Sequence, residues 1–99
     1  MISDVRRNGS LFEVYDANSK IISKLSTRDK ELVGVASNFF LIINNSLIEV
    51  YDEKCKKISS MSRRNKTVIG AAGGTFTLKD GTLIETYNEK CKKISSRSR

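Results

Sequence analysis

Glu and Tyr recur two residues apart at three places, Glu13/Tyr15, Glu49/Tyr51 and Glu85/Tyr87, and successive pairs are thirty-six residues apart. A carboxylate beside a phenol can hold a polar ligand or a cation, and three such pairs on a shared face would ring an axis. Paired carboxylates run acid–base chemistry only when they are close together and differently tuned. Identical surroundings argue against different tuning. Each Glu also has a simpler use, a cross-strand ion pair with a lysine such as Lys57 or Lys93, worth about 0.2–1 kcal/mol. The chain has no histidine, so no nucleophile–base pair assembles around these residues. A binding protein is expected, not an enzyme.

The pairs are positioned by a repeat. Ser46–Ser62, SLIEVYDEKCKKISSMS, returns as Thr82–Ser98, TLIETYNEKCKKISSRS, with thirteen of seventeen positions identical, and Ser10–Ser26 matches Ser46–Ser62 at ten of seventeen. Leu32–Ala36 aligns with Val68–Ala72 in the same register. Internal repetition at this period signals an array or a closed repeat fold. Asn8-Gly9, Asn44-Asn45 and Asp80-Gly81 fall on one another and are read as two-residue type I′ turns. A second turn is expected at Asp52-Glu53-Lys54-Cys55, where Asp caps its own backbone. β-branched residues are frequent and proline is absent, so nothing breaks a ladder. The expected fold is all-β, built from three tandem four-stranded antiparallel units of about 36 residues, the last incomplete. As one repeat domain, residues 1–99 divide into units of about 1–8 (partial), 9–44, 45–80 and 81–99 (partial).

Alternation assigns the faces. Phe12/Val14, Ile48/Val50 and Ile84/Thr86 point one way, and the Glu/Tyr pairs point the other. Phe40/Ile42 and Phe76/Leu78 form an apolar pair before the hairpin turn, but the first copy carries Asp4/Arg6 there. Arg97 likewise replaces Leu25 and Met61. Sheet ends that face water or a partner would be written this way, so Asp4, Arg6 and Arg97 are the expected contact residues of a homo-oligomer. The strands with Gly34 and Gly70 lack bulk, as strands do where backbones crowd near an axis.

A formal charge of +7 on 99 residues favours anionic partners through long-range attraction. Lys54–Lys66 holds six basic residues and no acid. Within it and its repeat, Lys56, Lys57, Arg63, Arg64, Lys66, Lys92 and Lys93 are the candidate anion-binding residues, for an acidic protein or another polyanion. Aromatic residues for stacking bases are few on that surface, which speaks against nucleic acid. Gly70-Ala71-Ala72-Gly73-Gly74 is read as a tight strand junction, since no Gly-Lys-Ser/Thr follows it. Cys55 and Cys91 occupy equivalent repeat positions. They are expected as free thiols, with no metal site or cofactor, for want of histidine and of a Cys-x-x-Cys pair. No apolar run reaches the roughly 20 residues of a membrane helix, and the N-terminus lacks a signal peptide's apolar core. A cytoplasmic protein is expected.

The run from Asp80-Gly81-Thr82-Leu83 through Tyr87-Asn88 to Lys93-Ile94-Ser95 resembles a blade of a quinoprotein-type β-propeller. That resemblance covers nearly the whole chain, with Cys or Ser at the usual turn glycine and no blade-ending Trp. It implies radial four-stranded blades, and two chains sharing a six-bladed ring. A second resemblance, to the β-prism of monocot mannose-binding lectins, rests on the similar repeat length. The lectin site motif Q-x-D-x-N-x-V-x-Y is not met, with Lys79 and Leu78 before Asp80 and Thr82 in place of Asn. A β-trefoil is a third fold with the same symmetry. The expected function is a protein-interaction module with a basic face; the alternative is a lectin-like or other small-ligand binder using the Glu/Tyr positions.

Overall fold

The computed structural model describes residues 1–98 except Thr27, Asp29 and Asn65. Among the described residues there are eleven strands and no helix: β1 (Asp4–Asn8), β2 (Leu11–Tyr15), β3 (Ile21–Ser26), β4 (Lys30–Val35), β5 (Phe39–Asn44), β6 (Leu47–Asp52), β7 (Lys57–Ser62), β8 (Thr67–Ala72), β9 (Thr75–Asp80), β10 (Leu83–Asn88) and β11 (Lys93–Ser98). They form three antiparallel sheets, ordered β1-β2-β3, β4-β5-β6-β7 and β8-β9-β10-β11. The sheet short of a strand is therefore the first, not the last. Repetition sets a period but not a phase, and the hydrogen-bonded unit begins at the Gly-bearing strand rather than at the hairpin turn.

The two-residue hairpins are present but sit one position later than expected. Asn8 pairs with Leu11, Asn44 with Leu47 and Asp80 with Leu83, so the loops are Gly9-Ser10, Asn45-Ser46 and Gly81-Thr82. Positive φ occurs at the first loop residue, Gly9 (63°), Asn45 (59°) and Gly81 (62°), and not at the second. That is the pattern of a type II′ turn, which leaves the second position free for Ser or even β-branched Thr.

The following turn is built as its sequence suggests. Asp52 Oδ1 accepts the backbone N–H of Lys54 and of Lys56, both at 2.9 Å. Asp16 and Asn88 cap their own turns in the same way. The left-handed residue here is Ser19, Cys55 or Cys91, with φ of 62°, 61° and 60°. Each such turn leads into a bulge. Tyr15, Tyr51 and Tyr87 pair with Ile21, Lys57 and Lys93, so Ile22, Ile58 and Ile94 are passed over in the ladder.

The sheets stack face on back. The first sheet's back (Val5, Phe12, Val14) packs on the second sheet's front (Phe40, Ile42, Tyr51) in one cluster. The second sheet's back (Leu41, Ile48, Val50) packs on the third sheet's front (Phe76, Leu78, Tyr87) in another. Both faces of the second sheet are thus covered, and Phe39 to Ile42 are fully buried without alternation. Burying side chains of this size stabilises by about 1.5–3 kcal/mol each. The Gly-bearing strands β4 and β8 lie against each other, with Ala71 across from Gly34, so the sheets converge along that edge and fan outward. The N-terminal segment straps the first two sheets together, through the Ile2 N–H donating to the Ser37 carbonyl at 2.6 Å and the buried Ile2 side chain.

Candidate functional site

Each Glu–Tyr pair is a closed unit. The hydroxyl of Tyr15, Tyr51 and Tyr87 donates to the carboxylate two residues before it, at 2.7, 2.8 and 3.1 Å. Residues i and i+2 share a face of a strand, which makes this reach possible. A lysine of the adjacent outer strand completes each carboxylate: Lys24 at 4.0 Å from Glu13, Lys57 at 3.6 Å from Glu49 and Lys93 at 3.6 Å from Glu85. All three carboxylates are buried.

The pairs lie in three separate layers of the stack and share no common pocket among the described residues. Glu49 and Tyr51 are enclosed between the first and second sheets, where the Tyr51 ring stacks on Phe40 at 5.6 Å. Glu85 and Tyr87 lie between the second and third, with Tyr87 stacked on Phe76 at 5.5 Å. Glu13 and Tyr15 lie on the open front of the first sheet, where the Arg6 guanidinium sits over the Tyr15 ring at 5.3 Å. Burial, then the bond to Glu49, pushes the Tyr51 hydroxyl far above its ordinary titration range. The bond to Glu13 raises Tyr15 as well. Neither phenol supplies a proton near neutral pH.

The basic residues separate into three groups. Lys66 reaches into the second interface, 3.0 Å from Glu85 Oε1 and 3.0 Å from the Tyr87 hydroxyl. That contact raises the Lys66 ammonium and lowers the Glu85 carboxyl from their ordinary values. Lys66 is thus taken up by the core. Arg63 and Arg64 lie at one end of β7, and Lys56 and Lys57 at the other, about 17–20 Å away along a six-residue strand. Asn65, part of the same basic loop, is outside the described residues.

The end with Lys56 carries the richer cluster. The turns at 16–20, 52–56 and 88–92 stand in a row, because Ser23 beside the first contacts Glu53 and Cys55 of the second, and Ser59 contacts Glu89 and Cys91 of the third. They project Lys20, Lys54, Lys56, Lys90 and Lys92, all exposed and, among the described residues, in no salt bridge. The basic runs begin at Lys54 and Lys90, but the candidates drawn from them at this end were Lys56, Lys57, Lys92 and Lys93, and Lys20 lies outside both runs. The thirty-six-residue period was the available signal, since it aligns Lys20 with Lys56 and Lys92.

Cys55 and Cys91 are free and half-buried, 3.1 and 3.2 Å from the hydroxyls of Ser23 and Ser59. Burial raises both thiols. Asp4 and Arg6 pair with each other at 2.7 Å on the outer face of the first sheet. Arg97 lies at the opposite end of the stack, on the back of the third sheet beside Ile69, Thr77 and Ile84.

No family model matches the chain, and no curated protein matches it. Among solved structures, Hsv2 of Kluyvelomyces marxianus, a β-propeller protein, resembles it with a TM-score of 0.66 at 12% sequence identity over 95% of the chain. The likeness covers 35% of Hsv2, so the chain spans about a third of that protein's length. A fold of sheets stacked face on back, as in propeller blades, is what this similarity supports; the prism and trefoil alternatives gain nothing from it.

Proposed function

We propose that the chain is a non-enzymatic, propeller-like scaffold that docks an acidic protein segment on the row of lysine-bearing turns. The observation that carries this reading is the alignment of the three turns. Each is pinned by its own Asp or Asn cap, and together they hold five exposed lysines on one end of the stack. Rigid turns keep like charges close at no further cost in ordering, which raises the local attraction for a polyanion. The closed Glu–Tyr pairs favour this over a small-ligand site, since their polar atoms are already paired.

Binding of a polyglutamate peptide, followed by fluorescence anisotropy, tests the proposal. Affinity should fall steeply between 50 and 300 mM salt, as expected for exposed charges screened over roughly 10 Å. The triple variant K20E/K56E/K92E should bind at least about tenfold more weakly, whereas R63E/R64E at the other end should bind as wild type. Equal losses in the two variants, or no salt dependence, would refute it.

A further inference from the structure

Each interface between sheets is fastened at its edge by one serine. Ser23 Oγ donates to the Glu53 carbonyl at 2.5 Å and lies 3.1 Å from Cys55 Sγ. Ser59 Oγ donates to the Glu89 carbonyl at 2.7 Å and to Cys91 Sγ at 3.2 Å. The next serine in this series is Ser95, which is exposed on the third sheet with no partner among the described residues. The preceding turn in the series holds the Ala17 carbonyl and Ser19, likewise unengaged by any serine. That turn is already in the accepting shape. Ser19 N–H bonds to the Asp16 carbonyl at 3.1 Å, as Cys55 does to Asp52 and Cys91 to Asn88, both at 3.0 Å, and all three residues share the same left-handed φ. One half of a third clasp is present at each end of the stack.

The two outer faces are chemically matched as well. On the third sheet's back, Thr77, Thr86 and Arg97 stand where the second sheet has Leu41, Val50 and Met61. On the first sheet's front, Asp4 and Arg6 stand where the others have aromatic and aliphatic residues. Both faces exchange apolar contacts for hydrogen-bonding ones, and Arg97 has the half-exposed Asp4 carboxylate, shared with Arg6, to meet. Apolar surface remains at Ile69 and Ile94, 54% and 57% exposed, whereas their counterparts Val33 and Ile58 are packed against the next sheet.

We infer that a second copy of this chain covers the third sheet's back with the front of its first sheet, Ser95 of one copy bonding the Ala17 carbonyl and Ser19 of the other. The contact is head-to-tail; the fan of the sheets from the β4/β8 edge favours a ring over an open filament, and two chains of three sheets make its smallest form. This rests on the stacking geometry and stands apart from the lysine-turn proposal.

Mixing an S19C chain with an S95C chain under mild oxidation tests it. The expected product is a covalent dimer of the 11.1 kDa chain, formed from the mixture and from neither chain alone. S59C, which places a second sulfur beside Cys91, is the internal control and should lose both thiols without a change in mass. I84R should reduce the light-scattering mass from two chains to one while leaving circular dichroism unchanged, since Ile84 supports no contact between sheets within the chain; its melting temperature should no longer depend on protein concentration. A single-chain mass for the wild type at 100 µM, no cross-link while S59C oxidises, or cross-linking of S95C with itself alone would overturn the inference.

Discussion

Gly34→Ala and Gly70→Ala put the same methyl group at equivalent positions of two sheets, with opposite consequences. At Gly34 the added Cβ stands 3.3 Å from Leu41 Cδ1 and 3.4 Å from the Ala71 Cβ of β8. Leu41 is fully buried between the sheets, so it must shift by a few tenths of an ångström within a packed core. Overpacking of this kind costs about 1–2 kcal/mol. At Gly70 nothing lies within 4 Å of the added carbon. Neither glycine has positive φ, so both substitutions also stabilise by about 0.4–1 kcal/mol through the unfolded chain.

The net expectation is a loss of up to about 1.6 kcal/mol for G34A and a gain of up to about 1 kcal/mol for G70A. In a domain of this size 1 kcal/mol moves the melting temperature by roughly 4–8 °C. Melting followed by far-ultraviolet circular dichroism should therefore show the two variants on opposite sides of wild type. In a double-mutant cycle G34A should cost less in an A71G background than in wild type, because one of its two contacts is gone. Equal shifts for G34A and G70A would refute the claim that β4 is crowded by its neighbouring sheet while the matching strand β8 is open.

Lys66→Met keeps the aliphatic stem but strips Glu85 of its nearest cation, and should lower stability by about 1.5–3 kcal/mol. Lys30→Met, at the equivalent position and in no ion pair among the described residues, should change it by less than about 0.5 kcal/mol in a urea titration. The Glu85 carboxyl, held below its ordinary value of 4.5 first by its bond from Lys66, contributes stability that is complete above about that pH and is lost as pH falls through the lower folded value. Urea midpoints at pH 7 and pH 3 should show a drop that E85Q reduces. Because burial raises the Cys55 and Cys91 thiols, labelling with a thiol-specific disulfide reagent at pH 8 should run at least about tenfold slower in the folded chain than in urea; equal rates would contradict the packed positions of both.

Much of the scaffold was legible because the chain states it nearly three times. The period aligns the turns, the strand alternation separates Phe12 and Val14 from Glu13 and Tyr15, and the polar residues Asp4, Arg6 and Arg97 stand out against the apolar pattern at the positions that lie on the two outer faces. The phase of the sheets was not legible, since a repeat has no intrinsic first strand. Nor was the burial of the Glu–Tyr pairs. Alternation says which side chains share a face, but in a stacked sheet both faces are covered, and a carboxylate reads as solvent-facing until the neighbouring sheet is in place. Lys66 looked like one more member of a basic loop. Its role depends on reaching β10, nineteen residues further along the chain, and no local pattern reports that distance. The type II′ turns were hidden for a different reason, in that Asn-Gly and Asp-Gly suit either hairpin register.

The buried Glu–Tyr–Lys units bear on how the sheets find their register. Enclosing a lone carboxylate costs several kcal/mol, and its ion pair seldom returns more than that cost. The tolerable position for Glu49 is therefore the one where Tyr51 donates to it and Lys57 stands on the next strand. Sliding β6 by one residue would turn Glu49 toward the face shared by Ile48 and Val50, where it would meet Phe39, Leu41 and Phe76. An apolar slip would lose packing; this slip would also strand a charge. The same unit persists on the first sheet as Glu13, Tyr15 and Lys24 although no sheet covers it there, and Arg6 occupies the place that Ile42 and Leu78 hold in the other sheets. The inferred head-to-tail contact would bury both against a polar sheet, in one register, and would reject the apolar backs of the first and second sheets.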